Sequence, residues 1–339
     1  MFDFFGFLIY LISLCLLFIS VFLINYKLNK YIAIVILLGI IFIASLRGTA
    51  GIDTKQYIFR FENINSFSDI TLYEPIIPFL MWIVKSLGGS FPVFSLIYGI
   101  ILIILYCYIF SNFKNSIYFG ISIFPVIFLD SLFNGIRIGL AYPLIILYVT
   151  SSSFYYFLLS FLSHVSSLIG VIFLKRKIIY LFLFLFIILI LSGSSILNIV
   201  PDRYINKYYQ YKNLKPRFSY AGISDSIALI ITLIVYFRVS GVRGKKMIKN
   251  STIVIIFIII YWFFLVRNFV FLLRVTRLII IIIFAVIAKR NRKLDKISVL
   301  LSFIFGLFYS ANFLRQIIAS SSYAERGFLP LFPLDWDIL

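Results

Sequence analysis

The sequence has few charged residues and almost none of the residues that bind metals or form disulfides. Only 13% of its 339 residues are charged, and it contains two cysteines and one histidine. Cys15 and Cys107 both lie in apolar runs, where a thiol behaves as a small hydrophobic side chain, so neither a disulfide nor a metal site is indicated. With 63% hydrophobic residues, the composition also excludes a soluble domain of this length.

Long apolar runs are what the sequence has in abundance. A helix needs roughly 17–25 apolar residues to cross a bilayer, and runs of about that length occur at 4–24, 31–46, 91–110, 178–199, 221–238, 251–266, 274–288 and 297–317. Residues 116–150 are predicted to form two helices that split at 130–134, and residues 74–88 a re-entrant or interfacial helix. We therefore predict an all-α, polytopic membrane helix bundle of about 10–12 membrane helices, including short segments. It forms a single integral membrane domain, 1–339, with outer loops at 47–73 and 200–220.

Charge is distributed unevenly between the loops. Five loops contain 16 of the 31 basic residues and one of the 12 acidic residues; they are 25–30, 111–116, 175–177, 238–249 and 289–296. Basic loops stay in the cytoplasm, so these five are predicted to be cytoplasmic and both termini to be outside. No cleavable leader is evident after Met1, so the first run is expected to be a retained span. Successive spans must alternate in direction across the membrane, so 154–174 is predicted to be a hairpin or broken helix that turns near Ser163-His164. A straight span is the alternative.

The first outer loop opens with an arginine and a carboxylate that are separated by two glycines. Arg47 lies at the end of the second apolar run, and Asp53 follows six residues later, beyond Gly48 and Gly51. Glycine allows close backbone approach to a ligand, so this turn is typical of a polar binding site. The alternative is a local ion pair between Arg47 and Asp53, which contributes little when it is exposed.

Three further polar residues lie at or within apolar segments. Glu74 precedes Pro75 at the start of a predicted helix, where an acid is favoured by the helix dipole. Arg137 lies inside an apolar run, and because a charge at the centre of a membrane helix costs roughly 2.5–3.5 kcal/mol, it is expected to face a cavity or a partner, unless it snorkels to the surface. His164 is either a hydrogen-bonded packing residue or part of the same polar cavity.

Arginines and tyrosines are frequent in the second outer loop and near a later hairpin. Five basic residues interleave with four tyrosines in 201–217, which ends at Arg217. Arg274 and Arg277 are three positions apart, on one helix face. With Arg137 and Arg217 they could form a cationic pocket that suits a pyrophosphate, because a guanidinium group can bind two phosphate oxygens at once. A segment that rests on anionic lipid is the alternative for the loop, and nucleic acid is a poor candidate because the loop faces outward.

Several of these segments resemble a known family. The residues at 47–57, Glu74-Pro75, 136–141 and 161–169 are similar, in order and spacing, to those of the EpsG-like group of bacterial polysaccharide polymerases, which are relatives of the Wzy-type O-antigen and capsule polymerases. The resemblance covers about 47–175 and is weaker around Arg274 and Arg277. It implies a membrane glycosyltransferase that joins oligosaccharide repeat units carried on polyprenyl diphosphate, such as undecaprenyl diphosphate, at the outer face of the bacterial cytoplasmic membrane.

The resemblance also implies roles for the candidate residues. Asp53 or Glu74 would accept the hydroxyl proton, with Asp53 as the favoured carboxylate and His164 as the other candidate base. The diphosphate would be bound by arginines, and Tyr57 would line the sugar path. These arginines are Arg137, Arg217, Arg274 and Arg277. Arg47 would orient Asp53 or contact phosphate. The expected partners are lipid-linked oligosaccharides, the bilayer and a chain-length regulator, with no metal and no cofactor.

Other functions fit part of the pattern. A lipid-linked glycan flippase or another transporter would also have polar residues among its spans, but such proteins are usually built from internal repeats, and none is evident. A membrane acyltransferase would need a histidine near the first spans, whereas the single histidine is at position 164. A scaffold would need no outer arginine cluster.

Overall fold

A computed structural model describes residues 54–70, 74–113, 135–167, 227–236, 270–289 and 296–319, with single positions between 12 and 39 and at 118, 120 and 122. Every regular element within these residues is a helix, which confirms the all-α prediction for the described part. The α helices with defined bounds are α1 (Thr54–Asn63), α2 (Ile76–Ser86), α3 (Phe91–Asn112), α4 (Ile136–Ser151), α5 (Phe154–Ser163), α6 (Ile227–Tyr236), α7 (Val270–Lys289) and α8 (Lys296–Ala319).

Helix α3 is the membrane-length helix of the described part. It has 22 residues and a mean hydropathy of 2.5, and at 1.5 Å per residue it is about 33 Å long, enough to cross a bilayer core. Pro92 lies in its first turn after an extended Ser90, where a fixed φ favours helix initiation. The apolar helices α2, α4, α5 and α6 are shorter, with 10–17 residues each. The predicted spans at 178–199 and 251–266 lie outside those residues.

Helices α1 and α2 form a hairpin that packs beside α3. Phe61 on α1 contacts the rings of Phe91 and Phe94 near the start of α3. The Lys85 ammonium on α2 donates to the carbonyl oxygen of Glu62 at 2.5 Å and to Asn65 Oδ1 at 2.9 Å, which closes the hairpin. The short helix predicted at 74–88 is therefore present, as α2.

Helices α4 and α5 form a second, antiparallel hairpin. It turns at Ser152, whose φ of 62° caps α4 in the left-handed region. Ser160 Oγ donates to the Ala141 carbonyl oxygen at 2.8 Å, and the rings of Tyr148 and Phe157 are 5.3 Å apart. Nearly all of α4 is buried. Helix α4 begins at Ile136, and the break predicted at 130–134 lies outside the described residues.

The break predicted near Ser163-His164 is confirmed. Helix α5 ends at Ser163, His164 is extended with φ of −156°, and residues 165–167 form a single 3-10 turn. A continuous straight span over 154–174 is therefore excluded, and the path after Ser167 lies outside the described residues.

Helix α7 packs against α4 and runs in the same direction. Lys289, at the end of α7, donates from its ammonium to the carbonyl oxygen of Thr150, near the end of α4. Arg277 lies twelve residues before Lys289, and Arg137 thirteen before Thr150. At 1.5 Å per residue, both arginines are about 18–20 Å from this contact. Measured along the two helices from this shared end, Arg137 and Arg277 therefore lie at a similar distance, toward the opposite end from Lys289.

Candidate functional site

Arg137, the second residue of α4, forms an ion pair inside the helical packing. Its Nη1 lies 2.5 Å from Glu74 Oε2, with 27% of the arginine side chain and 2% of the glutamate side chain exposed. Its Nε donates to the Tyr57 hydroxyl at 3.3 Å, and its guanidinium carbon lies 6.0 Å from the centre of the Tyr57 ring. The intramembrane cost predicted for Arg137 is thus offset by a carboxylate partner and an aromatic face.

Glu74 has an unusual backbone conformation that directs its side chain to this pair. Its φ is 51°, and the left-handed region costs a non-glycine residue of order 1–3 kcal/mol. Pro75 is the N-cap of α2, and no acidic residue lies in the first turn of that helix. The prediction that Glu74 acts as the N-terminal acid of α2 is therefore wrong, because its carboxylate is bound to α4 and to the end of α5.

The second oxygen of Glu74 binds the chain where α5 ends. Glu74 Oε1 accepts the backbone N–H of Val165 at 3.0 Å. The neighbouring amides are satisfied as well: His164 N donates to the Ser160 carbonyl oxygen, Ser166 N to His164 Nδ1 and Ser167 N to the His164 carbonyl oxygen. Buried amides need such partners, so one carboxylate satisfies both a guanidinium and the amide that the helix break exposes.

His164 lies beside this carboxylate and is buried. Its Nε2 is 3.8 Å from Glu74 Oε1. Its Nδ1 lies 2.6 Å from Ser166 Oγ and accepts the Ser166 backbone N–H at 3.2 Å. The histidine is therefore part of the same polar cluster as Arg137, as one of the two interpretations of the sequence predicted.

These contacts define one cluster: Tyr57, Glu74, Arg137 and His164, with the backbone of Val165. Its members come from α1, the start of α2, the first turn of α4 and the end of α5. Tyr98 Oη on α3 donates to the Ile136 carbonyl oxygen at 2.8 Å. Since Tyr98 is seven residues from the start of α3, the cluster lies about 10 Å along that helix from its N-terminus. Helix ends meet at an internal polar site that is surrounded by apolar packing.

The other predicted site residues are only partly described. The Arg277 guanidinium on α7 lies over the Tyr309 ring of α8, 5.9 Å from its centre. Arg274 is on the same helix, but its side chain lies outside the described residues, as do Arg47, Asp53 and Arg217. Within the described part, no three His, Cys, Asp or Glu side chains are grouped as metal ligands.

Two participants in the cluster, the Val165 amide and Ser166, were not predicted from the sequence. The available signal was a run of serines, 163, 166 and 167, around the only histidine. Serine side chains readily satisfy backbone and ring nitrogens where a helix stops.

The described residues therefore form a helical protein with a carboxylate–guanidinium pair buried at the junction of apolar helices. The sequence profile of the EpsG family matches residues 30–332, which include helices α1 to α8 and the whole cluster, and the chain belongs to this family. Its members are Wzy-type polysaccharide polymerase-like proteins, which supports a broad role in polysaccharide biosynthesis at a membrane. No curated protein and no solved structure matches the chain.

Proposed function

We propose that this protein is a polymerase that joins polyprenyl-diphosphate-linked oligosaccharide repeat units at the outer face of the bacterial cytoplasmic membrane. The observation that carries the proposal is the buried Glu74–Arg137 pair, in a member of a polysaccharide polymerase-like family. A buried ion pair is weak support for stability, because hydrophobic residues can often replace it. Its presence among helix ends therefore favours a functional origin.

The proposed membrane arrangement is a bundle of about 10–12 membrane helices with both termini outside. The basic loop at 289–296 puts the shared end of α4 and α7 in the cytoplasm. The cluster then lies in the outer half of the bundle, since Arg137 is about 20 Å along α4 from that end. An amphiphilic substrate with its diphosphate near the outer surface and its polyprenyl chain between helices fits this depth.

In the proposed reaction, a hydroxyl oxygen of the acceptor repeat unit attacks the anomeric carbon of the donor glycan. A new glycosidic bond forms, and the bond from that carbon to the diphosphate oxygen breaks. The polyprenyl diphosphate leaves with the electron pair, and the hydroxyl proton passes to a carboxylate. The protein must therefore stabilise a growing negative charge on the leaving group and accept one proton.

We assign these two tasks to the two members of the ion pair. The diphosphate competes with Glu74 for the Arg137 guanidinium, whose planar donors match phosphate oxygens. When Arg137 moves to the phosphate, the Glu74 carboxylate loses its cationic partner and becomes available to the acceptor hydroxyl. Tyr57 keeps the guanidinium oriented during this exchange. Binding of the leaving group and activation of the nucleophile are then coupled through one pair.

Additional cations are proposed to complete the diphosphate site. Arg277 lies on a packed, parallel helix at a distance from the shared end similar to that of Arg137, and Arg274 is one turn further out on that helix. Arg217 and Arg47 remain candidates from the sequence, as does Asp53 as an alternative proton acceptor. A chain-length regulator remains a proposed partner.

The proposal is tested in a strain that lacks the gene and is complemented with variants. Glu74→Gln keeps an acceptor for the Val165 amide but removes the base, and Arg137→Lys keeps the charge but removes the paired donors. Both should leave single repeat units and no glycan ladder on a gel. Glu62→Gln, an exposed glutamate on α1, is the matched control and should give a normal ladder.

The side of the membrane on which unpolymerised units accumulate distinguishes a polymerase from a flippase, which is the main alternative. Loss of a polymerase leaves lipid-linked units exposed on the outer face, whereas loss of a flippase retains them inside. Inner accumulation in the deletion strain, or normal ladders in both the Glu74→Gln and Arg137→Lys strains, would contradict the proposal.

A further inference from the structure

The hydrogen bonds around His164 determine which ring nitrogen carries the proton. The Ser166 backbone N–H donates to Nδ1 at 3.2 Å, and a backbone amide can only donate. Nδ1 must therefore present its lone pair. The Ser166 hydroxyl, 2.6 Å from the same nitrogen, is then the donor in that contact and not the acceptor.

A neutral imidazole whose Nδ1 accepts must carry its proton on Nε2. Nε2 is the atom that faces Glu74 Oε1, at 3.8 Å. An approach of about 1 Å would bring the two atoms to hydrogen-bond distance. The imidazole thus presents a donor to the carboxylate, and its only basic lone pair is engaged with Ser166.

We infer that His164 is a positioning residue that holds its proton on Nε2 and aims it at Glu74, and that it is not the base of the reaction. The position of the proton does not depend on the proposed function. Only the consequence, that Glu74 takes the hydroxyl proton, rests on that function. When Arg137 turns to the diphosphate, His164 Nε2–H remains as a donor beside Oε1. The carboxylate is then kept in place by the imidazole and by the Val165 amide.

The local geometry explains why a helix must end here. The Ser166 amide reaches the ring of His164 because the chain leaves α5 in an extended conformation at His164 and folds back in a 3-10 turn. In a continuing α helix, the same amide would donate to the carbonyl four residues earlier. The helix break therefore supplies the hydrogen bond that sets the tautomer.

The chain has a single histidine, so the tautomer can be measured without resonance assignment. The full-length protein, purified through a tag without histidine and labelled with ¹⁵N-histidine, should give one unprotonated ring nitrogen, Nδ1, and one protonated ring nitrogen, Nε2, at neutral pH. Ser166→Ala keeps the backbone amide, so it should shift the Nδ1 resonance and preserve the tautomer. A proton on Nδ1, or on both nitrogens, overturns the inference. This outcome is independent of whether the protein polymerises glycans.

A pair of substitutions tests the consequence for activity. The glutamine side chain of His164→Gln can put an amide donor near the position of Nε2, whereas the shorter His164→Asn reaches only the position of Nδ1. We expect His164→Gln to retain at least a tenth of the ladder-forming activity and His164→Asn to lose more than 100-fold, at matched melting temperatures. An equal loss in the two variants would contradict the positioning role, even if the deletion strain shows that the protein is a polymerase.

Discussion

Asp69 and Glu74 are five residues apart in the sequence, and both carboxylates accept backbone amides, but their environments are opposite. Asp69 Oδ2 binds the amides of Asn65 and Ser66 at 2.9 and 2.8 Å, and the Ser66 hydroxyl at 3.0 Å, all within an exposed loop. Glu74 is buried, and its partners, Arg137 and Val165, lie 63 and 91 residues further along the chain.

The Asp69 carboxylate stabilises the loop in which it lies, whereas the Glu74 carboxylate joins helices that are distant in the sequence. Asp69 needs only the local chain, because its donors are within four residues and water can replace them. Glu74 needs the completed fold, and loss of either long-range partner leaves charge or a polar group buried. The buried carboxylate is therefore the one whose removal should change both stability and function.

The largest expected difference between the two carboxylates is in stability. Arg137→Met leaves Glu74 buried without its cation, and the free energy of unfolding should fall by about 3 kcal/mol, the lower end of the range for breaking a buried pair, because the guanidinium is partly exposed. Asp69→Asn should leave the unfolding transition nearly unchanged. Chemical unfolding of the purified protein in detergent measures both.

The double variant Glu74→Gln with Arg137→Met is the control. With no charge left in the cluster, most of the lost stability should return, while the glycan ladder remains absent. If the two substitutions were simply additive, the ion pair described here would not be the cause of the loss.

The membrane character and the helix break at 163–164 were predictable, since apolar run length and charge placement indicate them. Arg137 was also predictable as a site residue, because a charge in an apolar run requires a partner. The identity of that partner was not predictable. It depends on a contact between residues that are 63 positions apart in the chain.

The proximity of Arg137 and His164 follows from the hairpin and not from any motif. The two residues are 15 positions before and 12 positions after the turn at Ser152, so antiparallel packing brings them to nearly the same level. The sequence predicted the break near Ser163-His164 but not the left-handed turn at Ser152 that joins α4 and α5. Without that turn, the register of the two helices was undetermined.

A smaller effect is expected from the aromatic partner. Tyr57→Phe keeps the ring under the guanidinium but removes the hydroxyl that accepts from Arg137 Nε at 3.3 Å. Loss of this long hydrogen bond should cost about 1 kcal/mol of stability and lower the rate of polymerisation by a few fold. Rate measurements in membranes with lipid-linked repeat units test this, and a complete loss of activity would give the hydroxyl a larger role.

The smallest effect concerns the exposed carboxylate. Hydrogen bonds from the Asn65 and Ser66 amides hold the pKa of Asp69 below its usual value. Because the pKa of Asp69 is lower in the folded protein than in the unfolded protein, these bonds contribute their full stability above the unfolded-state pKa. That contribution is lost as the pH falls through the folded-state pKa. The amide resonances of Asn65 and Ser66 should therefore titrate below the usual aspartate pKa. A transition at or above the usual aspartate pKa would contradict the local origin of the shift.

The exchange of Arg137 from Glu74 to a diphosphate is tested most directly by the affinity for undecaprenyl diphosphate, measured on the purified protein in nanodiscs. Removal of the competing carboxylate in Glu74→Gln should tighten binding by about tenfold, which corresponds to about 1.4 kcal/mol, while Arg137→Lys should weaken it and the exposed control Glu62→Gln should leave it unchanged. Weaker or unchanged binding by Glu74→Gln would contradict the account.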